Sequence, residues 1–258
     1  MSTAQQFSDI GGIVLDAVGT LIEPRPTVAE AYAEAAQRQG VVLDPAVVRR
    51  RFREQFGADE VDDLRGPLAT DEAREERRWR RIVAGVLPEL PDLERGFAEL
   101  WDHFGRPGSW RCFDDVGPAL NALAEAGRAV RIASNFDARL RVIVQGRPEL
   151  AAWADRLVLS TEVGYRKPHP AFYRAACVRL GLPPGRVLCV GDDPEHDVRG
   201  PERAGLRGAL IDREGRAPAA LLSLPNLTAL TVLLQTGPLR TGTGTSQARS
   251  PFPRGESR

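Results

Sequence analysis

The chain has 258 residues, of which 42% are hydrophobic, and its 35 acidic side chains balance 35 basic ones. This length and apolar fraction suit a globular protein with one large domain or two modest ones. The balanced charge provides no field that would favour nucleic acid or an anionic membrane as a partner. Three scattered cysteines without a disulfide or metal-binding spacing, and no run of 18 apolar residues, lead us to expect a cytoplasmic protein.

Five short apolar runs predict β-strands, and amphipathic segments closed by glycine separate most of them. The predicted strands are "IVLD" (13–16), "AVRIAS" (129–134), "RLVLS" (156–160), "RVLCVG" (186–191) and "GALID" (208–212). Strands that alternate with helices are typical of an α/β fold with a doubly wound, mostly parallel sheet of the Rossmann-like type.

A long interval after the first strand has a different pattern. Residues 27 to about 105 read as successive helices, and we predict a helical cap domain at 24–105 inserted into a core domain formed by 1–23 and 106–234. Loops at the carboxyl ends of parallel strands build sites, so the insertion is well placed to act as a lid. Residues 235–258 are rich in Gly, Ser, Thr, Pro and Arg and are predicted to be a disordered tail.

Two arginine-rich runs in this interval, "RRRFR" (49–53) and "REERRWRR" (74–81), resemble nucleic-acid-binding segments. The second run is interleaved with glutamates at spacings that allow i,i+4 pairing. We therefore interpret these runs as solvated helix faces.

Four groups of polar residues follow the predicted strands, at the edge where a doubly wound sheet forms its crevice. Any one of them alone would read as a turn, a helix cap or a surface residue. The groups are Asp16 with Gly19 and Thr20, Ser134 with Asn135, Lys167, and Asp192 with Asp193 and Asp197.

Lys167 is the only lysine among the 35 basic residues. A compact ammonium fits between two anions in a way that a planar guanidinium does not. In a chain that otherwise uses arginine, this exception indicates a specific role.

In this order and spacing, the four groups resemble the motifs of the haloacid dehalogenase-like hydrolase superfamily, over almost the whole chain to about residue 234. Asp16-x-x-Gly19-Thr20, Ser134, Lys167 and Gly191-Asp192-x-x-x-x-Asp197 match its first to fourth motifs. The segments "SNFDARL" and "GDDPEHDVRGPERAG" look most like the branch called haloacid dehalogenase-like hydrolase domain-containing protein 3.

The resemblance implies a site for Mg²⁺, and the residues agree, because clustered carboxylates repel unless a cation joins them and Mg²⁺ prefers hard oxygen ligands. Asp16, Asp192 and the main-chain carbonyl of Val18 are the implied ligands. Asp193 and Asp197 would orient the waters on the metal.

The resemblance also implies a phosphatase for a small phosphorylated metabolite. Asp16 would be the nucleophile that forms an aspartyl-phosphate, and Lys167 would neutralise both Asp16 and the phosphate. The phosphate-binding groups would be the Ser134 hydroxyl, Lys167, and main-chain N–H groups of Asn135 and of the loop with Gly19 and Thr20.

Val18 departs from the pattern, since phosphatases of this superfamily typically carry there an aspartate that acts as general acid and base. Loss of such a group typically lowers the rate by about 10² to 10⁴-fold. A slow enzyme, a substrate with a good leaving group, or a substitute proton carrier such as Asp137, Asp193 or His169 would each account for it.

Two further interpretations remain open. Haloacid dehalogenases also lack that aspartate, but they need no Mg²⁺ and have a less acidic fourth motif. The chain is alternatively a catalytically weak or inactive protein that keeps the fold for binding. A phosphonoacetaldehyde hydrolase is excluded, because that mechanism needs a second lysine.

Overall fold

The computed structural model describes residues 7–235. The part of the predicted tail beyond residue 235 lies outside the described residues. The strands are β1 (Gly12–Leu15), β2 (Ile22–Pro24), β3 (Trp110–Cys112), β4 (Ala129–Ser134), β5 (Leu157–Leu159), β6 (Val187–Gly191), β7 (Arg207–Ile211) and β8 (Ser223–Leu224). The main α-helices are α1 (Val28–Gln37), α2 (Pro45–Arg65), α3 (Glu72–Val86), α4 (Leu93–His103), α5 (Val116–Glu125), α6 (Arg139–Gln145), α7 (Ser160–Val163), α8 (Pro170–Leu180), α9 (Gly200–Arg203) and α10 (Leu227–Gln235).

Six strands form one parallel sheet in the order β5-β4-β1-β6-β7-β8. Strand β1 lies between β4 and β6, and its side chains alternate between two buried clusters. Ile13 and Leu15 join the larger cluster with α5, α6 and α10, whereas Val14 packs on the opposite face against α8. Burial on both faces explains why the strand reads as a continuous apolar run. The predicted α/β fold is confirmed.

Helices α1 to α4 form an insertion between β2 and β3, which pair as a two-stranded antiparallel ribbon. Each helix begins at a side chain that accepts a hydrogen bond from a main-chain N–H of its first turn, and these capping residues are Thr27, Asp44, Asp71 and Asp92. Such caps satisfy donors that the helix leaves unpaired. The insertion has its own hydrophobic cluster, centred on residues such as Tyr32, Val48 and Ile82. The domain boundaries at residues 23 and 105 stay a prediction.

Several elements differ from the sequence-based expectation. Helix α2 is a single helix of 21 residues that continues to Arg65 through a polar segment without apolar periodicity. The segment after β6 begins as a π-helical turn at Pro194–Arg199 before α9. The short ribbon and helix α6 were not predicted, because short elements are specified by their tertiary contacts more than by local pattern.

Backbone hydrogen bonds join the insertion to the sheet domain. The N–H of Thr70 donates to the carbonyl of Gly164 at 3.0 Å, and the N–H of Arg166 donates to the carbonyl of Leu68 at 2.9 Å. Glu72 also accepts a hydrogen bond from the N–H of Ala138 at 3.1 Å. The insertion is therefore docked over the carboxyl end of the sheet.

Buried charges reinforce this junction. Arg166 and Glu75 are each 1% exposed, and their side chains pair at 2.8 Å. Arg166 also pairs with Glu60 at 2.8 Å and with Asp63 at 3.1 Å, while Arg78 of α3 contacts Glu60 and is 1% exposed. The interpretation of 74–81 as a solvated face is thus wrong at Glu75 and Arg78, because the loop carrying Arg166 covers them.

Among residues 7–235, no helix combines the length and apolar character that crossing a bilayer requires.

The buried cluster predicts a large difference between two adjacent glutamates. Glu75→Gln removes one charge and leaves Arg166 and Arg78 undercompensated in the interior, so the free energy of unfolding should fall by about 3 to 5 kcal/mol. Glu76→Gln removes a charge whose partner Arg80 lies at the surface, and should change stability by less than about 1 kcal/mol. Urea denaturation of both variants measures this. Equal effects would contradict a structural role for the buried cluster.

Candidate functional site

The polar residues predicted from the sequence meet at the carboxyl end of the sheet. Asp16 follows β1, Ser134 ends β4 and Asp192 follows β6. Because β4 and β6 flank β1, these residues face one crevice in the middle of the sheet. All three contribute to the wall of the same cavity.

The turn after β1 is held by main-chain hydrogen bonds from Leu21 and Ile22 to the carbonyl of Ala17 and from Gly19 to the carbonyl of Ile22. The carbonyls of Ala17 and Ile22 accept these hydrogen bonds. The carbonyl of Val18 accepts none from the described residues. Gly19 has φ +86°, and a Cβ there would overlap the Asp192 carboxylate. Glycine is therefore required for the close approach of this turn to Asp192.

Lys167 lies between two carboxylates at the centre of the site. Its Nζ is 2.6 Å from Asp16 Oδ1 and 2.8 Å from Asp197 Oδ1. Lys167 and Asp197 are each 3% exposed, and Asp16 is 9% exposed. The lone lysine of the chain thus serves two buried anions, as its compact ammonium favours.

Asn135 holds the main chain of Lys167. Its side-chain Oδ1 accepts a hydrogen bond from the Lys167 N–H at 2.7 Å, and its Nδ2 donates to the Lys167 carbonyl at 3.1 Å. The interpretation of the sequence assigned a role only to the main-chain N–H of Asn135, as a hydrogen-bond donor to the phosphate. It missed this side-chain contact, which depends on a partner 32 residues away.

The loop after β6 arranges three aspartates in different ways. Asp192 Oδ1 accepts a hydrogen bond from Thr20 Oγ1 at 3.3 Å. Asp193 Oδ1 accepts two main-chain hydrogen bonds, each 2.8 Å, at the start of the π-helical turn. Asp197 Oδ2 accepts a hydrogen bond from the Asp193 N–H at 3.2 Å. Asp193 therefore orders the loop that carries Asp197.

Burial and mutual repulsion make these carboxylates hard to ionise. Desolvation raises the pKa of Asp16 to about 8, and the charges of Asp197 and Asp192 add to this effect, although Lys167 opposes it. Desolvation and the Asp197 charge raise the pKa of Asp192 to about 6. Desolvation lowers the pKa of Lys167, but the charges of Asp16 and Asp197 outweigh it and hold that pKa above its ordinary value, so the ammonium stays charged.

The donor set fits a divalent cation. Asp16, Asp192 and Asp197 place carboxylate oxygens within 4.8 Å of one another, and the Lys167 ammonium contacts only two of them, Asp16 and Asp197. Hard oxygen ligands with excess negative charge suit Mg²⁺. A second acidic group, formed by Asp59, Glu60 and Asp63, is already paired with arginines of the buried cluster.

A cavity of about 490 Å³ opens above the carboxylates, between the sheet domain and the insertion. Asp16, Lys167 and Ser134 form its polar end, and Val18 lies beside them on the wall. Most of the remaining wall is apolar or aromatic. A volume of this size suits a small organic ligand, for which protein pockets range from about 300 to 1,000 Å³.

The three suggested proton carriers differ in position. Asp137 is 1% exposed, accepts two hydrogen bonds from the Arg139 guanidinium and is absent from the cavity wall. The His169 side chain accepts a hydrogen bond from the Ala171 N–H and also lies outside the wall. These contacts argue against both residues. Of the three, Asp193 alone lines the cavity.

Comparison with known proteins gives a consistent assignment. The family profile described as haloacid dehalogenase-like hydrolase matches residues 10–205. The chain is 28% identical over 210 residues to haloacid dehalogenase-like hydrolase domain-containing protein 3 of Danio rerio, covering 78% of this chain and 85% of that protein. It is 42% identical over 221 residues to a phosphoserine phosphatase of Thermus thermophilus, covering 78% and 88%.

A solved L-2-haloacid dehalogenase from Xanthobacter autotrophicus superposes with a TM-score of 0.68 at 22% sequence identity, over 88% of this chain and 98% of that one. At this identity the likeness concerns the fold.

The raised pKa of Asp16 predicts how stability depends on pH when a chelator removes metal ions. The folded chain keeps a proton on Asp16 that the unfolded chain, with an ordinary pKa of 3.8, has lost. This contribution is complete below the unfolded pKa and disappears as the pH rises through about 8. From about pH 5 to about pH 9, the wild type should therefore lose more than about 1 kcal/mol of stability relative to Asp16→Asn.

Urea denaturation at several pH values measures that difference, and Asp16→Asn is the reference that lacks this titrating group. A wild type that gains stability relative to Asp16→Asn as the pH rises would contradict the assigned pKa shift.

Proposed function

Because the chain belongs to the haloacid dehalogenase-like hydrolases, we propose that this hydrolase cleaves phosphate monoesters with the assistance of Mg²⁺. The observation that carries the proposal is the Lys167 ammonium, which lies 2.6 Å from Asp16 and 2.8 Å from Asp197 at the polar end of the cavity. A buried carboxylate that faces such a cavity and is oriented by a cation is suited to act as a nucleophile.

Asp16 is the proposed nucleophile. One of its carboxylate oxygens is bound by Lys167, which orients the group toward the cavity. The attack joins phosphorus to a carboxylate oxygen of Asp16 while the bond from phosphorus to the ester oxygen breaks and the alcohol leaves. Water then hydrolyses the acyl phosphate, which releases inorganic phosphate and regenerates Asp16. Lys167 neutralises the charge of the phosphoryl group during both steps, and the Ser134 hydroxyl, which faces the same cavity, donates to its oxygens.

Mg²⁺ is the proposed cofactor. Asp16, Asp192 and the free carbonyl of Val18 would hold it, with Asp197 and the Asp193 loop nearby. When bound, the ion would neutralise phosphate oxygens and the excess charge of the carboxylates. The valine side chain does not affect the main-chain ligand, so this site is compatible with Val18.

The insertion is proposed to act as a cap. Its contacts with 164–166 hold it over the site, and its helices supply most of the apolar wall of the cavity. A cap in this position would limit the access of water and select the substrate. The phosphatase name of the Thermus thermophilus relative supports the reaction class.

A dehalogenase is the second candidate, because solved dehalogenases share the fold and the cavity is apolar. The acidic group at Asp192 and Asp197 favours a metal-dependent phosphatase instead. Addition of a chelator separates the two, since displacement of a halide by a carboxylate does not depend on Mg²⁺.

Asp16→Asn should abolish catalysis, because an amide oxygen cannot replace the carboxylate nucleophile. With acetyl phosphate and Mg²⁺, we expect phosphate release to fall by at least about 10³-fold. The matched control is Asp155→Asn, which changes an exposed aspartate outside the cavity and should keep wild-type activity. Undiminished release by a folded Asp16→Asn protein would remove Asp16 from this role.

Val18→Asp should restore a general acid and base beside Asp16. For an alkyl phosphate, whose leaving group needs a proton, we expect a rise of about 10² to 10⁴-fold in kcat. Val18→Asn has nearly the same shape as the aspartate variant but cannot transfer that proton, so it should remain slow. Steady-state assays of both variants decide the matter: equal rates in the two would show that proton transfer at residue 18 does not limit turnover.

A further inference from the structure

We infer that the substrate is the phosphate ester of an aromatic alcohol without a carboxylate, a phenol-type leaving group, and this inference rests on the proposed phosphatase activity. Two independent features of the described residues support it. One is the aromatic wall of the cavity, and the other is the valine beside the nucleophile.

Aromatic rings from both domains surround the space above Asp16. In the insertion, Phe52 and Phe56 stack with ring centroids 5.6 Å apart, and Trp79 lies 6.0 Å beyond Phe56. On the sheet domain, Trp110 and Phe136 meet edge to face at 6.0 Å. All five line the cavity. Ring faces and edges in these orientations suit a planar aromatic group, because aromatic rings prefer stacked or edge-to-face contacts.

The cationic side chains on the same wall already have anionic partners. Glu60 pairs with Arg78 and Arg166, and Arg139 pairs with Asp137 at 2.7 Å. Among the described residues on the wall, Glu195 likewise contacts Arg203. A carboxylate on the leaving group would lose its water without gaining a free counter-charge, which is costly. The cavity therefore disfavours a leaving group that carries a carboxylate.

Val18 restricts the leaving group in a second way. In the proposed step, the bond from phosphorus to the ester oxygen breaks while a carboxylate oxygen of Asp16 bonds to phosphorus. The electron pair leaves on the ester oxygen, and Val18 cannot supply a proton to it. A phenol has a pKa of about 10, well below that of a simple alcohol, so its anion departs and takes a proton from water afterwards. A second water then releases inorganic phosphate from Asp16.

A substrate series with closely similar leaving groups tests the wall by itself. The full-length protein with Mg²⁺ is assayed with 2-naphthyl phosphate, phenyl phosphate and 4-carboxyphenyl phosphate, with acetyl phosphate as a small reactive reference. We expect kcat/KM for the naphthyl ester to exceed that of the phenyl ester by about tenfold. The carboxyphenyl ester should be slower than the phenyl ester by about 100-fold, because its charge has no free partner in the cavity.

A pair of variants links the preference to the aromatic wall. Phe56→Leu removes one ring of the wall, and should lower the ratio of naphthyl to acetyl phosphate kcat/KM by about 3- to 10-fold. Phe113→Leu makes the same change outside the cavity, where the ring contacts Arg213, and should leave that ratio at the wild-type value. Thermal denaturation confirms that both variants are folded.

The outcomes separate the two proposals. Mg²⁺-dependent hydrolysis of acetyl phosphate, with equal kcat/KM for the three aryl esters or a preference for the carboxyphenyl ester, would overturn the substrate class and leave the phosphatase in place. No hydrolysis of any of the four by the folded protein would overturn the phosphatase. The predicted order, with its loss in Phe56→Leu alone, would support both.

Discussion

The ammonium of Lys167 holds the site together. Asp16 follows β1 near the middle of the sheet, and Asp197 belongs to the segment after the neighbouring strand β6. Two separate segments therefore place carboxylates close together in a buried space. Without a cation between them, these charges would repel in a medium that screens them poorly. Lys167 reaches both, and the side chain of Asn135 fixes the main chain from which it extends. The arrangement still leaves more negative than positive charge, which is the basis for proposing Mg²⁺.

The residue before Lys167 performs a different task on the other side of the same loop. Arg166 extends into the insertion and pairs there with Glu75, Glu60 and Asp63. One short segment therefore contacts the carboxylates of Asp16 and Asp197 with one side chain and the proposed cap with the next. Because the cap supplies most of the apolar wall, its position defines the shape of the cavity above Asp16, and the buried ion pairs set that position.

The sheet and the polar residues at its edge were predictable because their signals are local. A buried parallel strand reads as a short apolar run, and a catalytic loop reads as polar residues at fixed spacing after it. These local patterns predict that four residues lie together at the carboxyl end of the sheet, as they do in the structure: Asp16, Ser134, Lys167 and Asp192.

What the sequence could not supply are contacts between distant segments. Glu75 and Arg78 belong to a run of charged residues that is typical of an exposed helix, and only the packing of the loop with Arg166 makes them buried. The partner of the Asn135 side chain and the aromatic wall around Phe56 and Phe136 likewise arise when helices meet across the cavity. Neither leaves a periodic pattern in the chain.

The most direct measurement is mass spectrometry of the protein quenched in acid during turnover of acetyl phosphate with Mg²⁺. Because Lys167 orients the Asp16 carboxylate as the proposed nucleophile, we expect the peptide that contains Asp16 to gain the mass of one phosphoryl group. This adduct should be absent when a chelator is added and absent in Asp16→Asn. Phosphate release without this adduct under conditions that preserve acyl phosphates, or an adduct on another residue, would contradict the account.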